Sequence, residues 1–176
     1  FMERPFAKQL AARGYVAVPV SYRLGPGGRF PGGLHDLKAA IRWLRANAVR
    51  HGIDPARIGA VGGSAGGQLV SLLGASNGVT ALEGDAGDLA GVSSDIQAMV
   101  NIDGVASFPD AALIAQEEAS PGASSRFNGG NYSQARETWH ASSALTYVSR
   151  RSAPSLFIKS TVTRPILPGR DEMSAR

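Results

Sequence analysis

The chain has 176 residues, 43% of them hydrophobic and 18% charged, a balance that suits one globular domain and excludes wholesale disorder. Its formal net charge is +4 and it has no cysteine, so disulfides, thiolate catalysis and thiolate metal sites are excluded. The arginines are scattered rather than gathered into a basic stripe, and no apolar run is long enough to cross a bilayer, so neither nucleic acid nor a membrane is expected as a partner.

No signal peptide is visible, and the compartment stays open. The chain starts at Phe1 directly in helix-forming sequence, which suggests that its natural N-terminus lies elsewhere. Residues 6–13 have helical composition and stop at Gly14, a residue suited to a C-cap. Residues 15–21 (YVAVPVS) are β-branched and aromatic and read as a strand buried on both faces, although Pro19 removes a ladder donor. Residues 25–33 form a Gly/Pro loop. A helix follows, with Leu37, Ile41 and Leu44 as its apolar stripe and Lys38, Arg42 and Arg45 outside it.

After a turn over residues 52–55, residues 57–61 (RIGAV) read as a second strand, followed by a glycine cluster and a helix over residues 68–73. Residues 96–102 read as a third strand. Residues 104–141 are rich in Ser, Gly, Asn and Ala and are expected to be an irregular excursion with a short helix over 111–119. Residues 155–158 read as a fourth strand, and residues 161–176 form a tail without pattern. Strands alternating with helices predict one α/β domain over residues 1–176, with a mostly parallel sheet and helices on both faces.

The chemistry concentrates at Gly62-Gly63-Ser64-Ala65-Gly66-Gly67, between a predicted strand and a predicted helix. This is the G-x-S-x-G pattern in the context that a nucleophile elbow requires. A sharp strand-to-helix turn strains the backbone of its central residue and lifts the Ser64 hydroxyl clear of the sheet. Gly62 and Gly66 keep the strand and helix close. The Ala65 N–H, at the helix N-terminus, faces a developing oxyanion. The competing reading is a glycine-rich turn with Ser64 as an ordinary N-cap. A phosphate-binding loop is disfavoured because no Lys-Ser/Thr follows the glycines, and dinucleotide spacing is not met.

Further residues carry a resemblance. Tyr22-Arg23-Leu24, Phe30-Pro31, Asp36, residues 39–47 (AAIRWLRAN), Gly52-Ile53-Asp54-Pro55, Arg57-Ile58-Gly59 and Gly62–Gly67 stand in an order and spacing similar to bacterial esterases related to acetylxylan and feruloyl esterases, near the hormone-sensitive-lipase-like esterases. The match is strong over residues 14–75 and weaker over residues 143–148 and 154–158. The resemblance implies a partial α/β-hydrolase fold that hydrolyses carboxylic esters through a Ser-His-Asp triad and an acyl-enzyme, with short-acyl or acetyl esters as substrates.

The chain departs from that pattern in three places. The family's His-Gly-Gly oxyanion loop would precede Phe1. Its His-Gly-x-x-Asp acid loop would follow Ile158, where this chain has residues 159–163 (KSTVT), so Thr163 stands in the acid slot. No histidine follows. The chain is therefore expected to be truncated at both ends. One choice of codons for residues 159–165 reads Glu-His-Gly-Asp-Pro-Thr two bases on, so a shifted frame is a rival account that the gene sequence decides.

Asp103, at the end of the third strand, is a candidate substitute acid, with a solvated turn before Gly104 as its plainer reading. His140 is the candidate base, with surface or packing roles as alternatives. His35 and His51 lie at a helix start and in a turn, and Asp171 and Glu172 fall in the tail. The histidines share no ligand spacing, so neither a metal nor a cofactor is expected. Arg23 and Asp36 are expected to pair beneath the loop between strand and helix, and Trp43 to lie in the core. Two other readings stay open: an inactive remnant or binding module, and a serine peptidase on the same fold. An unpaired sheet edge predicts a homodimer as a remedy for exposure.

Overall fold

The computed structural model describes residues 3–160. The tail over residues 161–176, with Thr163, Asp171, Glu172 and most of the codon-shifted stretch, lies outside the described residues.

Helix α1 (Glu3–Ala11) ends in a turn at Gly14, whose φ of +88° needs the absence of a side chain. Residues 15–21 do not form the strand that their composition predicts. They have no ladder partner among the described residues, and Tyr15, Val16, Val18 and Val20 are exposed. A β-rich sequence becomes a strand only when another strand satisfies its backbone groups.

The sheet has three parallel strands in the order β1 (Gly59–Gly63), β2 (Ala98–Ile102) and β3 (Ser155–Ile158). Gly63 stands opposite Ile102, and Ile102 opposite Ile158. Each is a strand predicted by the sequence: β1 lies two residues further along than the predicted 57–61, β2 starts two residues later than the predicted 96–102, and β3 has the predicted bounds.

Helix α4 (Ala65–Ala75) follows β1 and packs on β1 and β2. Every residue from Gly67 to Ala75 is buried, because α2 (Gly32–Ala46) and the 3-10 turn Ala144–Tyr147 cover its other sides. A helix enclosed in this way must be apolar nearly all round, as Leu69, Val70, Leu72 and Leu73 make it. Leu34 and Leu72, both 0% exposed, join Ile96 and Met99 in the core. Full burial of one leucine contributes about 1.5–3 kcal/mol.

Helix α4 covers one face of the sheet through its contacts with β1 and β2. On the other, among the described residues, Val61, Leu156 and Ile158 are 37%, 56% and 43% exposed.

Two expectations about α2 are overturned. Lys38 and Arg42, predicted on its solvent face, are 0% and 4% exposed. The loop after α4 folds over them and brings Glu83, whose carboxylate takes Lys38 Nζ at 2.8 Å, pairs with Arg42 and accepts from Ser94 Oγ at 2.6 Å. Two buried cations thereby share one carboxylate from about forty residues away, which local periodicity cannot reveal. Trp43, expected in the core, is 48% exposed and stacks on His51, with ring centroids 5.3 Å apart. His51 ends α3 (Ala48–His51).

Residues 104–141 are not irregular. They hold α5 (Ala111–Ala119, at the predicted place), α6 (Ala123–Asn128) and α7 (Tyr132–Ala141). Caps rather than periodicity start these helices. Asp110 accepts from the N–H groups of Ala112 and Leu113, and Asn131 with Gln134 forms a capping box. Glu117, 3% exposed, accepts from the N–H groups of Gly122, Ser124 and Ser125 and from Ser125 Oγ. Trp139, fully buried, donates to Gly130 O at 2.9 Å. Among the described residues no helix is long and apolar enough to cross a membrane.

Candidate active site

Ser64 joins the C-terminal end of β1 to the first turn of α4. Its backbone sits at φ 52°, ψ −117°. Among the described residues only Ser64 and Asp103 combine a side chain with positive φ, and such strain persists only where its surroundings over-determine it. Two hydrogen bonds hold the turn. The Ser64 N–H donates to Ile102 O at 2.7 Å, and the Gln68 N–H donates to Ser64 O at 3.0 Å. An ordinary N-cap serine has extended backbone and a side chain that accepts from the first turn. Ser64 has neither, because its hydroxyl makes no capping bond. Ser64 and Ala65 are exposed. The Ala65 N–H is the first of α4 and has no acceptor within the helix.

The glycines divide differently from the motif. A Cβ on Gly62 would meet Gly66 O at 2.3 Å, and one on Gly67 would meet Asn101 Oδ1 at 2.6 Å and Gly104 Cα at 3.1 Å. Gly63 has only an ordinary contact, Ile102 O at 3.9 Å, and a Cβ on Gly66 would enter open space. The close approach of strand and helix therefore depends on Gly62 and Gly67. At Gly66 it is the backbone, not a missing side chain, that Gly62 must clear.

Asp103 follows Ile102 and so lies beside the elbow, at φ 57°. Its N–H donates to Ile158 O at 3.0 Å, and its Oδ1 accepts from the Ser160 N–H at 3.0 Å. The carboxylate thus engages the chain leaving β3. His140, in the last turn of α7, is exposed. Its Nε2 pairs with the Tyr132 hydroxyl at 3.1 Å, and no hydrogen bond joins it to Ser64 or Asp103. His35 packs its ring against the backbone of Gly84 and leaves Nε2 buried without a partner. Burial, followed by the charges of Arg23 and Lys38, pushes its pKa below the ordinary histidine value. Among the described residues, no group of three or more His, Asp or Glu is placed to hold a metal ion.

Arg23 and Asp36 pair as expected. Arg23 Nε donates to Asp36 Oδ1 at 2.9 Å and its N–H to Oδ2 at 2.8 Å. The hydrogen bond from Arg23 holds the Asp36 carboxyl below the usual carboxylate range. Arg23 also reaches Gly32 O at 3.3 Å, which ties the loop to the start of α2. Sequence reasoning missed Asn101 and Gly104, both buried behind the elbow. A polar residue in the apolar strand AMVNI, two places before Asp-Gly, was the available signal.

The parallel β1-α4-β2-β3 unit, with a strained serine at its first strand-to-helix turn, has the architecture of an α/β-hydrolase fold. The BD-FAE family model matches residues 1–168, and the chain belongs to that family. It is similar to the probable carboxylic ester hydrolase LipM of Mycobacterium tuberculosis, 40% identical over 68 residues, which are 39% of this chain and 16% of that protein. Esterase LipC of the same organism is 44% identical over 66 residues, 38% of this chain and 16% of its own length. Among solved structures, the acetyl ester-xyloside bifunctional hydrolase from Caldicellulosiruptor lactoaceticus superposes with a TM-score of 0.69 at 28% identity, covering 87% of this chain and 52% of that one. The chain thus spans about a sixth of these curated relatives and about half of that structure.

Proposed function

We propose that this chain carries the nucleophile part of a carboxylic ester hydrolase, with Ser64 as nucleophile, the Ala65 N–H as an oxyanion donor, and short-acyl or acetyl esters as substrates. The observation that carries the reading is the Ser64 backbone, strained at φ 52° in an exposed residue whose side chain has no capping role. Strain without a structural return is what an elbow has and a cap does not. The likeness to LipM, LipC and the acetyl ester-xyloside hydrolase supports the reaction class, and the last of them supports acetyl esters.

In this reading Ser64 Oγ bonds to the ester carbonyl carbon while its proton passes to a base. The negative charge on the carbonyl oxygen is met by the Ala65 N–H. Collapse expels the alcohol and leaves an acyl-enzyme, which water then hydrolyses. Asp103 stands beside the elbow as the candidate acid. His140 remains the sequence's candidate base, although its ring is engaged with Tyr132.

The test is hydrolysis of p-nitrophenyl acetate by the purified chain beside Ser64→Ala. Loss of about a thousandfold or more in the variant is expected, since removing a triad nucleophile removes rate on that scale. Equal turnover in the two proteins refutes the assignment of Ser64 as the working nucleophile of this chain.

A further inference from the structure

We infer that Asn101 is a positioning residue for this site. It locks the turn Asp103-Gly104 against the elbow, and from that turn Asp103 holds the Ser160 N–H at the exit of β3. This inference rests on the reading of Ser64 as nucleophile only for its catalytic consequence; the lock itself stands on geometry.

Asn101 is 1% exposed, next to last in β2 and opposite Gly62 of the elbow. A carboxamide buried in an apolar sheet is costly unless its donors and acceptor are used. Here they are. Asn101 Oδ1 accepts from the Gly104 N–H at 2.6 Å, while Nδ2 donates to Gly104 O at 3.3 Å and to Ser71 Oγ, on α4, at 2.6 Å. The side chain therefore grips both peptide groups of Gly104 and fastens them to the helix that the elbow begins.

The surroundings leave it no freedom. A Cβ on Gly67 would strike Asn101 Oδ1 at 2.6 Å, and a Cβ on Gly104 would strike Gln68 N at 2.3 Å. The turn after β2 thus presses directly on the first turn of α4, and Asn101 fills the corner between them.

Between Asn101 and Gly104 lies Asp103, held at φ 57°. A left-handed aspartate needs such over-determination. Its neighbour Ile102 accepts from the Ser64 N–H at 2.7 Å, so one hydrogen bond ties Ser64 to the residue that precedes Asp103. On the other side, the Asp103 N–H donates to Ile158 O and its carboxylate accepts from the Ser160 N–H. The lock therefore runs from α4 through Ser71, Asn101 and Gly104 to Asp103 and the exit of β3. Asp103 acts here on the backbone of Ser160, which is a different role from proton handling at a histidine.

The test uses the full chain and two readouts. Amide hydrogen exchange is followed residue by residue by NMR, and Ser64 is titrated with an alkyl fluorophosphonate, which bonds to Oγ and expels fluoride. Asn101→Ala is expected to speed exchange at Gly104 and Ser160 by about tenfold or more, the scale of one lost hydrogen bond, while Ile41 in α2 keeps its protection. Asp103→Gly, which keeps the positive φ and removes the acceptor, is expected to speed exchange at Ser160 but not at Gly104. The saturating inactivation rate of Asn101→Ala is expected to fall about tenfold or more with probe affinity unchanged, as a misplaced nucleophile requires.

Should Asn101→Ala not fold, Ser71→Ala gives the decision, with faster exchange at Gly104 expected there also. Unchanged exchange at Gly104 and Ser160 in a folded Asn101→Ala, or at Gly104 in Ser71→Ala, overturns the lock. Loss of protection spread evenly over all helices overturns it as well, because that marks a merely structural residue. A wild-type chain that the probe never labels sinks the esterase reading, while the exchange results still decide the lock.

Discussion

The elbow can be tested by adding one carbon atom at two glycines of the same motif. Alanine at Gly62 places a Cβ 2.3 Å from Gly66 O and 2.9 Å from Gly67 N, whereas ordinary contact begins at 3.4 Å. The obstructing atoms are backbone at the start of α4, so no rotamer relieves the clash. Strand and helix must part by about 1 Å, and overpacking of this kind costs about 1–3 kcal/mol. With a urea m-value of about 2 kcal/mol per M, the midpoint should fall by about 0.5–1.5 M.

Alanine at Gly66 enters open space on a helical residue. It should hold or raise the midpoint, because alanine in a helix is favoured over glycine by about 0.5–1 kcal/mol. Displacing the nucleophile by about 1 Å also costs about a hundredfold in rate. Gly62→Ala should therefore lose p-nitrophenyl acetate turnover as well as stability. The assay is urea unfolding of both variants beside that reaction. A Gly62→Ala protein as stable as the parent, or one less harmed than Gly66→Ala, refutes the packing argument.

Other substitutions probe the rest of the molecule. Glu83→Ala strips the carboxylate from fully buried Lys38 and from Arg42, and should cost about 3 kcal/mol in urea unfolding. Adding Lys38→Met should recover part of that loss, and strict additivity of the two changes would contradict the pairing. His35 has a pKa lowered on folding, so the unfolded chain binds its proton more readily; stability should be full above pH 6.5 and fall as pH drops below it. His35→Leu should flatten that slope in unfolding curves taken from pH 7 to 5, and an unchanged slope would show that other groups set it. The edges of β1 and β3 have no further strand among the described residues, and sedimentation at rising concentration should reveal a dimer formed through such an edge. A monomer at every concentration would count against it.

Much of this protein is local, and the sequence by itself determined that part. Strands β1, β2 and β3, helix α4 and the serine turn between strand and helix follow from short apolar runs and from the glycine cluster between the first strand and the helix. The Arg23–Asp36 pair was legible from motif positions, and its geometry agrees. What the sequence could not decide depends on partners distant along the chain. Residues 15–21 have the composition of a strand but no neighbour among the described residues to make them one. Lys38 and Arg42 occupy positions that helical periodicity assigns to solvent, and only the fold brings Glu83 over them. The helices after β2 begin with side-chain caps at Asp110 and Asn131, a polar signal that hydrophobic periodicity does not register. At the site, the motif named Ser64 and its glycines. The tertiary structure decided which glycines are tight, put Asn101 behind them and turned Asp103 toward Ser160. The physical reason is that spacing fixes what a residue can do within a few turns of chain, while steric contact and hydrogen bonding across the sheet decide what it does.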